Sequence, residues 1–306
     1  MDWIRVLALI LVVLHHLGFP NVFLRDNGWI GMDILFALSS YFLTKSIIEN
    51  PNVSLKRLFL KRILTIWPLY FFYLLIIGHF DQTWPYMLFM GNWWVIKHGW
   101  SEFNLIGHMW ALSLIEQFYF GWAFILSRIN KQHIVKVVVV GLIVSFFAKL
   151  FLFVPGNYYP VYMNTIARLD PFLWGALLAV TSIKIPRLVS SLFLVFGTIV
   201  LMFVNIREGN LLTVLLGYPL IGIASMLLLQ KGIDIVNNNS KLVSDISKWG
   251  FGIYIWQKIV IELATRITDN QFLIIIIVLI ITVALSALTY NFIQKPFIKL
   301  KTNLNQ

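Results

Sequence analysis

The sequence QFLIIIIVLIITVALSALTYNFI at residues 271–293 decides the fold class, and no Asp, Glu, Lys or Arg interrupts it. An α-helix rises about 1.5 Å per residue, so a helix over this run is long enough to cross roughly 30 Å of bilayer hydrocarbon. The apolar residues are continuous and do not alternate with polar ones. This pattern predicts a membrane-spanning helix and excludes the strand of a membrane β-barrel.

The whole 306-residue chain has the same character, with 59% hydrophobic and only 12% charged residues. A soluble domain carries about 25% charged residues, and half that number does not cover its surface. No polar stretch is long enough for a large additional soluble domain. The composition therefore predicts a single membrane-embedded domain over residues 1–306, an all-α polytopic bundle of about ten transmembrane helices in the cell membrane.

Ten apolar stretches are predicted to form these helices: 4–19, 30–48, 62–79, 108–128, 134–153, 164–183, 187–205, 210–230, 248–267 and 271–293. The first is predicted to be retained and not cleaved as a signal peptide, because no small-residue cleavage site follows it. Residues 84–97 are also apolar, but this segment is short and contains Pro85 and Gly91. It is predicted to be re-entrant or interfacial.

The 24 Lys and Arg residues are divided unevenly between the two sides of this predicted topology. Five lie in predicted outer loops: Arg25, Lys97, Lys149, Arg207 and Arg266. Arg168 and Lys258 lie within helices, and the other 17 lie on the opposite side. Cytoplasmic loops are enriched in Lys and Arg, so the split predicts that both termini are cytoplasmic.

The net charge of +11 arises from the same loops, and it indicates topology and contact with anionic lipids instead of nucleic acid. The chain has no cysteine, which excludes disulfides, thiolate metal ligands and an acyl-cysteine intermediate. We expect no metal site and no tightly bound cofactor.

The first predicted helix carries Arg5, His15 and His16. Eleven residues at about 100° each exceed three full turns by only about 20°, so Arg5 and His16 share a face, whereas His15 points roughly 100° away. Neutral histidine, with a reference pKa of about 6.5, suits a general base. His16 is therefore a candidate base, and a structural histidine near the outer interface is the alternative.

A charge inside a predicted helix costs about 2.5–3.5 kcal/mol at mid-bilayer, so each one needs a partner or a function. Asp33 lies near an outer helix end, where the cost is low. Glu116 lies two turns beyond His108 and is predicted to face inward and to pair with a histidine or an arginine. Arg168 and Asp170 do not face each other, so each is predicted to find its partner on another helix.

A basic cluster at the inner side comprises Lys56, Arg57, Lys61 and Arg62. Ordinary positive-inside charge accounts for most of it. The sharper hypothesis is a phosphate site, because guanidinium and ammonium groups at a helix end suit a polyphosphate ligand.

Six motifs follow one another along the chain. They are Asp2-x-x-Arg5 with a hydrophobic run to His16, Gly28-Trp29-x-Gly31-x-Asp33-x-x-Phe36-x-Leu38-Ser39, Lys61-Arg62 with Ile66-x-Pro68-x-Tyr70, His108-x-Trp110-x-Leu112-Ser113-x-x-Glu116-Gln117-Phe118-Tyr119, Arg168-x-Asp170-x-x-x-x-Gly175-Ala176, and Gly252-x-Tyr254. In this order they resemble the motifs of the acyltransferase 3 family of membrane acyltransferases over nearly the whole chain. The fourth motif is the most specific.

The chain departs from the family pattern at five positions. Ser40 stands where the family usually has glycine, Thr65 where it has arginine, and Ile115 where it has a second glutamate. Gln257 stands near the usual position of a histidine, and Gln294 replaces an acidic residue. Thr65 weakens the basic site, and Gln257 removes a substrate-side contact. These departures bear on specificity more than on the core chemistry.

The resemblance implies transfer of an acyl group, typically acetyl, from cytoplasmic acyl-CoA to a hydroxyl of a cell-surface or lipid-linked glycan such as an exopolysaccharide or capsule. It implies catalytic roles for His16, Glu116 and Asp33, with His16 as base and a carboxylate orienting its ring or the acceptor. Acyl-CoA would bind Arg5, Lys61 and Arg62. Residues expected to bind substrate or support the site are His108, Trp110, Ser113, Arg168 and Asp170.

The expected partners are the glycan acceptor, acyl-CoA, membrane lipids and glycan-assembly proteins. Trp93, Trp94 and Trp100 are expected either to stack on sugar faces or to belong to an aromatic belt. The chain ends soon after its last predicted helix, so we expect it to lack the extracellular hydrolase-like domain that some members of the family carry.

Two functional alternatives remain open at this point. A transporter or flippase for a lipid-linked glycan would also need intramembrane His, Glu and Arg, although no matched discontinuous helices are evident. A non-catalytic partner of a polysaccharide complex would have no use for His16. Within the acyltransferase hypothesis, direct transfer and an acyl-histidine intermediate are both open.

Overall fold

The computed structural model describes residues 1–18, 22–77, 80–99, 104–181, 184–205, 209–234 and 240–303. Their helices are α1 Asp2–His16, α2 Val22–Asn27, α3 Ile30–Glu49, α4 Leu55–Ile77, α5 Phe80–Met87, α6 Gly91–His98, α7 Asn104–Gly107, α8 Trp110–Leu126, α9 Ile134–Leu152, α10 Tyr159–Tyr162, α11 Leu169–Val180, α12 Arg187–Phe203, α13 Leu211–Asp234, α14 Lys241–Ile267, α15 Gln271–Thr289 and α16 Lys295–Asn303. A π-helical turn, Tyr290–Gln294, joins the last two. Within these ranges the only β-pairing is an isolated bridge between Val154 and Asn157.

Each of the ten predicted stretches coincides with a helix, and three of these helices begin at least five residues away from the predicted start for local reasons. α4 begins at Leu55, seven residues earlier than predicted, and the Arg57 amide donates to Ser54 Oγ at 3.2 Å. α14 begins at Lys241 because Ser240 Oγ caps it by accepting from the Val243 amide. α11 begins late because Asn164 Oδ1 binds two following backbone amides and holds a turn.

Six helical segments of the described chain are long and apolar enough to cross a membrane: Phe23–Glu49, Leu55–Ile77, Leu105–Leu126, Lys131–Leu152, Leu211–Ile233 and Gln271–Leu300. The other predicted spans fall short of that standard; α1 and α11, for instance, have 15 and 12 residues. Large apolar side chains such as Phe151, Leu188 and Phe292 are 71–81% exposed, as expected for a lipid-facing surface. The chain is a multi-pass membrane protein.

Helix α3 lies at the centre of the bundle, packed against α1, α8, α11 and α13. Lipid tails are as apolar as the side chains, so helices in a bilayer associate through close packing and small residues. Here a Cβ atom at Gly31 would collide with the Ala8 carbonyl oxygen, and one at Gly175 would collide with the backbone of Ala37. These two glycines allow α1 and α11 to approach α3 closely.

Helices α1 and α14 run side by side in the same direction. Arg5 contacts Ser247 near the start of both helices, whereas His16 lies beside Gln257 further along. We call the end of the bundle that contains Asp2 and Ser247 the inner end, and the end that contains His16 the outer end. The packing of these two helices positions the candidate site.

The segment 84–97 does not form a single span, which agrees with the sequence prediction of a re-entrant or interfacial segment. It forms parts of α5 and α6, separated by a turn in which Phe89 has φ 54°. Gln117 Nε2 donates to the Phe89 carbonyl at 2.6 Å and to Asn92 Oδ1 at 2.9 Å. These bonds from α8 hold the turn in place, although the side chains of Leu88 and Met90 on either side of Phe89 are exposed.

Candidate active site

His16 lies at the outer end of α1, on the side that faces α14. Arg5 lies on the same face of α1, as the eleven-residue spacing predicts, and donates from Nη1 to Ser247 Oγ at 2.7 Å. His15 Nδ1 contacts the Arg25 carbonyl oxygen, and the centroid of the His15 ring is 5.6 Å from that of the His16 ring. Arg5 and His16 therefore both meet α14, as their shared helix face predicts, while the His15 ring lies beside the His16 ring.

The His16 ring lies in a pocket of polar and aromatic groups. Its centroid is 6.2 Å from that of His108 in an edge-to-face arrangement, and the buried Gln257 side chain lies beside it. His16 Nδ1 is buried and has no hydrogen-bond partner among the described residues, although the side chain as a whole is only half-buried. A ring with an unused nitrogen and an accessible edge can accept a proton from a bound hydroxyl.

His108 is held rigidly behind His16. Its side chain is buried, and Nε2 lies 3.2 Å from the Ile255 carbonyl oxygen. Tyr254 donates its hydroxyl proton to the His108 carbonyl oxygen, and the rings of Tyr73 and Tyr254 pack around the imidazole. Both bonds come from α14, so α14 orients His108 as well as flanking His16.

Glu116 faces the bundle interior and pairs with Arg62, which confirms the predicted type of partner. Arg62 Nε and Nη2 both lie 2.7 Å from Glu116 Oε1. Glu116 is fully buried, and its Oε2 has no hydrogen-bond partner in the described chain. The guanidinium also stacks over the Tyr119 ring at 4.9 Å. Arg62, expected to bind acyl-CoA, is thus directed into the bundle and bound to a buried carboxylate.

Neither candidate carboxylate contacts His16. Asp33 is fully buried and pairs with Arg168, whereas Glu116 pairs with Arg62. The expectation that one of them orients the His16 ring does not match this geometry. The groups that do lie against the ring are Gln257, His108 and His15.

Four buried charges on three other helices form what we call the paired-charge cluster: Asp33 on α3, Lys149 on α9, and Arg168 and Asp170 at the start of α11. Lys149 Nζ lies 3.1 Å from Asp170 Oδ1 and 2.8 Å from Ser145 Oγ. Arg168 pairs with Asp33 and lies over the ring of Tyr218. Arg168 and Asp170 therefore find separate partners on other helices, as predicted.

Lys149 is a correction to the sequence interpretation, which placed it among the outer loop charges. It is fully buried within α9. A buried carboxylate needs a nearby cation to offset its desolvation, and Lys149 supplies one for Asp170. The signal in the sequence was its position inside an otherwise apolar run.

The remaining predicted site residues fall into two groups. Ser113 and Trp110 are buried and structural in their contacts: Ser113 Oγ accepts from the Gly91 amide at 3.1 Å, and Trp110 packs on Phe36. Lys61 instead lines an inner-end cavity of about 490 Å³ together with Arg57 and the 49–53 turn.

The outer tryptophans also differ. Trp93 is 39% exposed, whereas Trp94 packs on His98 with ring centroids 3.9 Å apart. Trp100 and Arg207 lie outside the described residues. Among the residues that are described, no group of three or more His, Asp or Glu is placed to hold a metal ion.

This arrangement agrees with a comparison to known families. A model of the acyltransferase 3 family, described as an acyltransferase domain, matches residues 1–291. The chain belongs to the acyltransferase 3 family.

Three relatives of this family member are similar along almost its entire length. A peptidoglycan O-acetyltransferase of Listeria monocytogenes is 27% identical over 97% of the chain, and a Bacillus subtilis protein provisionally assigned the same activity is 28% identical over 97%. A Staphylococcus aureus protein provisionally assigned as an O-acetyltransferase is 23% identical over 98%. The chain spans 55%, 54% and 57% of the length of these relatives. No solved structure matches it.

Two of the positions that depart from the family pattern lie side by side. Gln294 Nε2 is 3.5 Å from the Thr65 carbonyl oxygen, across the contact between the π-helical turn and α4. A neutral pair thus stands where the family pattern has a cation and an anion, so both charges are absent together. Gln257, another position that departs from the family pattern, is fully buried beside His16 and belongs to the site itself.

Proposed function

We propose that this chain transfers an acetyl group from an acyl-CoA thioester to a hydroxyl of a cell-envelope glycan. The observation that carries the proposal is the His16 ring, whose buried Nδ1 has no hydrogen-bond partner in the described chain. Membership of the acyltransferase 3 family supports the class of reaction. The names of the Listeria and Bacillus relatives support a glycan acceptor.

The chemistry requires a base, because a free sugar hydroxyl is a weak nucleophile. His16 takes the hydroxyl proton as the sugar oxygen attacks the thioester carbonyl carbon. The new C–O bond forms, the C–S bond breaks, and the proton passes from His16 to the departing thiolate. A base in this role contributes about 10²–10⁴-fold in rate. A two-step route through an acyl-histidine uses the same ring.

We further propose that all ten predicted helices cross the membrane with both termini in the cytoplasm, so that the inner end meets cytoplasmic acyl-CoA. The excess of Lys and Arg in the inner loops supports this orientation. It places Arg5 and Lys61 on the donor side and His16 towards the outer face, where a glycan approaches.

Single cysteines test this topology, since the chain has none of its own. Lys56→Cys and Asn157→Cys are exposed to an impermeant thiol reagent in intact cells. We expect labelling at position 157 only, with position 56 reacting after permeabilisation. Labelling of intact cells at position 56 and not at 157 would invert the topology.

Glycan analysis tests the reaction. Cells that lack the gene are complemented with wild-type protein or with His16→Ala, and mild base is used to release ester-linked acetate from envelope glycans. Membranes are also supplied with isotope-labelled acetyl-CoA to test the donor. We expect the wild type alone to restore the ester and transfer the label. Unchanged ester content with a loss of outward glycan movement would replace this proposal with the transporter alternative.

A further inference from the structure

The register between α1 and α14 brings a second basic group to His16. Ser247, the partner of Arg5, and Lys258 are separated by eleven residues, the same spacing as Arg5 and His16. Eleven residues return to nearly the same helix face after about 16 Å. Because the two helices run in parallel from the Arg5–Ser247 contact, Lys258 lies opposite His16.

Two independent contacts support this register. Leu9 on α1 packs at Gly250 on α14, where a Cβ atom would lie 2.7 Å from Leu9 Cδ1. Val13 packs in one cluster with Ile253 and Val260. The residues of α1 and α14 therefore stay in step between the inner and outer ends.

Lys258 also shares a face with the residues that hold His108. It lies one turn beyond Tyr254 and Ile255, which bind the His108 carbonyl oxygen and Nε2. The ammonium is within electrostatic range of both the His16 and the His108 imidazoles. The same ammonium thus interacts electrostatically with both imidazole rings.

This lysine is half-buried and makes no hydrogen bond or ion pair among the described residues. Glu262, the next acidic residue along α14, lies within its electrostatic range but binds Arg266 at 2.9 Å. A poorly solvated ammonium without a close anion is costly to maintain in a fold. The unused N–H donors of Lys258 indicate that its anionic partner arrives with the substrates.

We propose that Lys258 is a further catalytic residue, whose ammonium stabilises the oxyanion that forms when the acceptor attacks the acyl carbonyl. The inference rests on the proposed function and deepens it. As the sugar oxygen bonds to the carbonyl carbon, the carbonyl π electrons move onto oxygen and the hydroxyl proton moves to His16. The oxyanion, held by Lys258, then re-forms the carbonyl and expels the thiolate, which takes the proton from His16.

The natural absence of cysteine allows the ammonium to be removed and rebuilt. Lys258→Cys is assayed for acetyl transfer in purified membranes before and after alkylation with 2-bromoethylamine, which creates a sulfur analogue of lysine. Iodoacetamide adds a neutral group at the same position and serves as the control reagent. Arg266→Cys, on the exposed outer end of α14, is the control variant for reagent effects.

We expect Lys258→Cys to lose about 10²–10³-fold in kcat, the usual effect of removing an oxyanion partner, with KM for the acceptor changed only a few-fold. Aminoethylation of Lys258→Cys should raise kcat at least tenfold, and iodoacetamide should leave kcat unchanged. Near-normal kcat in Lys258→Cys, or equal rescue by both reagents, would overturn the inference. If the cysteine variant is depleted, Lys258→Met, which keeps the length of the side chain, decides the same question by its kcat.

The wild type and His16→Ala are measured in parallel. Wild-type membranes without acetyl transfer would refute the proposed function itself. An active wild type with an equally active Lys258→Met would refute only the role of Lys258.

Discussion

The bundle holds ionisable groups in two regions that follow opposite rules. In the paired-charge cluster, each cation touches a carboxylate: Lys149 lies 3.1 Å from Asp170, and Arg168 binds Asp33. Around His16, His108 and Lys258, no carboxylate of the described chain lies within ion-pair distance. The first region is electrically complete, whereas the second is not.

The difference separates groups that hold the fold from groups that await a substrate. Desolvation of an ion in the bundle costs several kcal/mol unless a partner offsets it, so a structural charge is found with its counter-ion. Within the described chain, both regions keep unused hydrogen-bonding atoms, namely His16 Nδ1 in one and Asp33 Oδ2, Asp170 Oδ2 and Arg168 Nε and Nη1 in the other, so the regions differ in their counter-ions and not in unpaired polar atoms. This difference in counter-ions supports the proposal that the reaction takes place at the outer end between α1 and α14 and that the cluster around α3, α9 and α11 holds the fold.

The largest effect on activity is expected at His16. His16→Ala should lower acetyl transfer by about 10²–10⁴-fold at normal protein abundance, because it removes the base. His15→Ala loses a contact to the Arg25 carbonyl oxygen and a ring packed beside His16; it is the matched control and should stay within a few-fold of wild type. Ester-linked acetyl per amount of protein measures both. Equal losses would contradict the assignment of the reactive helix face.

In the paired-charge cluster the main effect should be on folding. Lys149→Met leaves Asp170 buried without its cation, a change that costs about 3–5 kcal/mol and should sharply reduce folded protein in detergent. Adding Asp170→Asn removes the orphaned charge and should recover much of the yield. Size-exclusion profiles and thermal unfolding compare the single and double variants. Normal yield with lost activity in Lys149→Met would move this region into the chemistry.

Glu116 has a counter-ion in Arg62, like the carboxylates of the cluster, but the resemblance to the family implies a catalytic role for it. Glu116→Ala should reduce abundance as well as activity, because Arg62 loses its counter-ion. Glu116→Gln keeps the shape and part of the hydrogen bonding, so it should be abundant and nearly inactive. Transfer rate per folded protein distinguishes the two variants. An abundant and active Gln variant would assign Glu116 to the structural group.

The smallest effect is expected at the inner end of the site. Ser247→Ala removes the hydrogen bond that Arg5 donates to Ser247 and the one that Ser247 donates to Asp2 Oδ1, each worth about 0.5–1.5 kcal/mol, while Asp2 remains 3.7 Å from the guanidinium. KM for acetyl-CoA should rise a few-fold with kcat unchanged. Initial rates across donor concentrations test this. A fall in kcat as large as that in His16→Ala would place the inner end within the chemistry itself.

Local periodicity predicted much of this architecture. Helix geometry accounts for a helix at each of the ten predicted positions, although only six described segments are long and apolar enough to cross a membrane. It also accounts for the shared face of Arg5 and His16 and for the need of Arg168 and Asp170 for partners on other helices. The identity of the partners does not, because Lys149 and Asp33 meet α11 only through packing across the bundle. Lys258 was recognised as intramembrane, but its relation to His16 required the register of two helices at opposite ends of the sequence.

That register has a consequence for how the protein is made. Arg5 and Ser247 are 242 residues apart in sequence. At a synthesis rate of about 5–20 residues per second, the first helix waits roughly 12–50 s before its neighbour emerges. During biogenesis, α1 can dock on α3 while the side that will meet α14 remains exposed. The proposed reaction site is therefore among the last parts of the molecule to close, so nascent chains released before α14 contain His16 and lack the pocket around it.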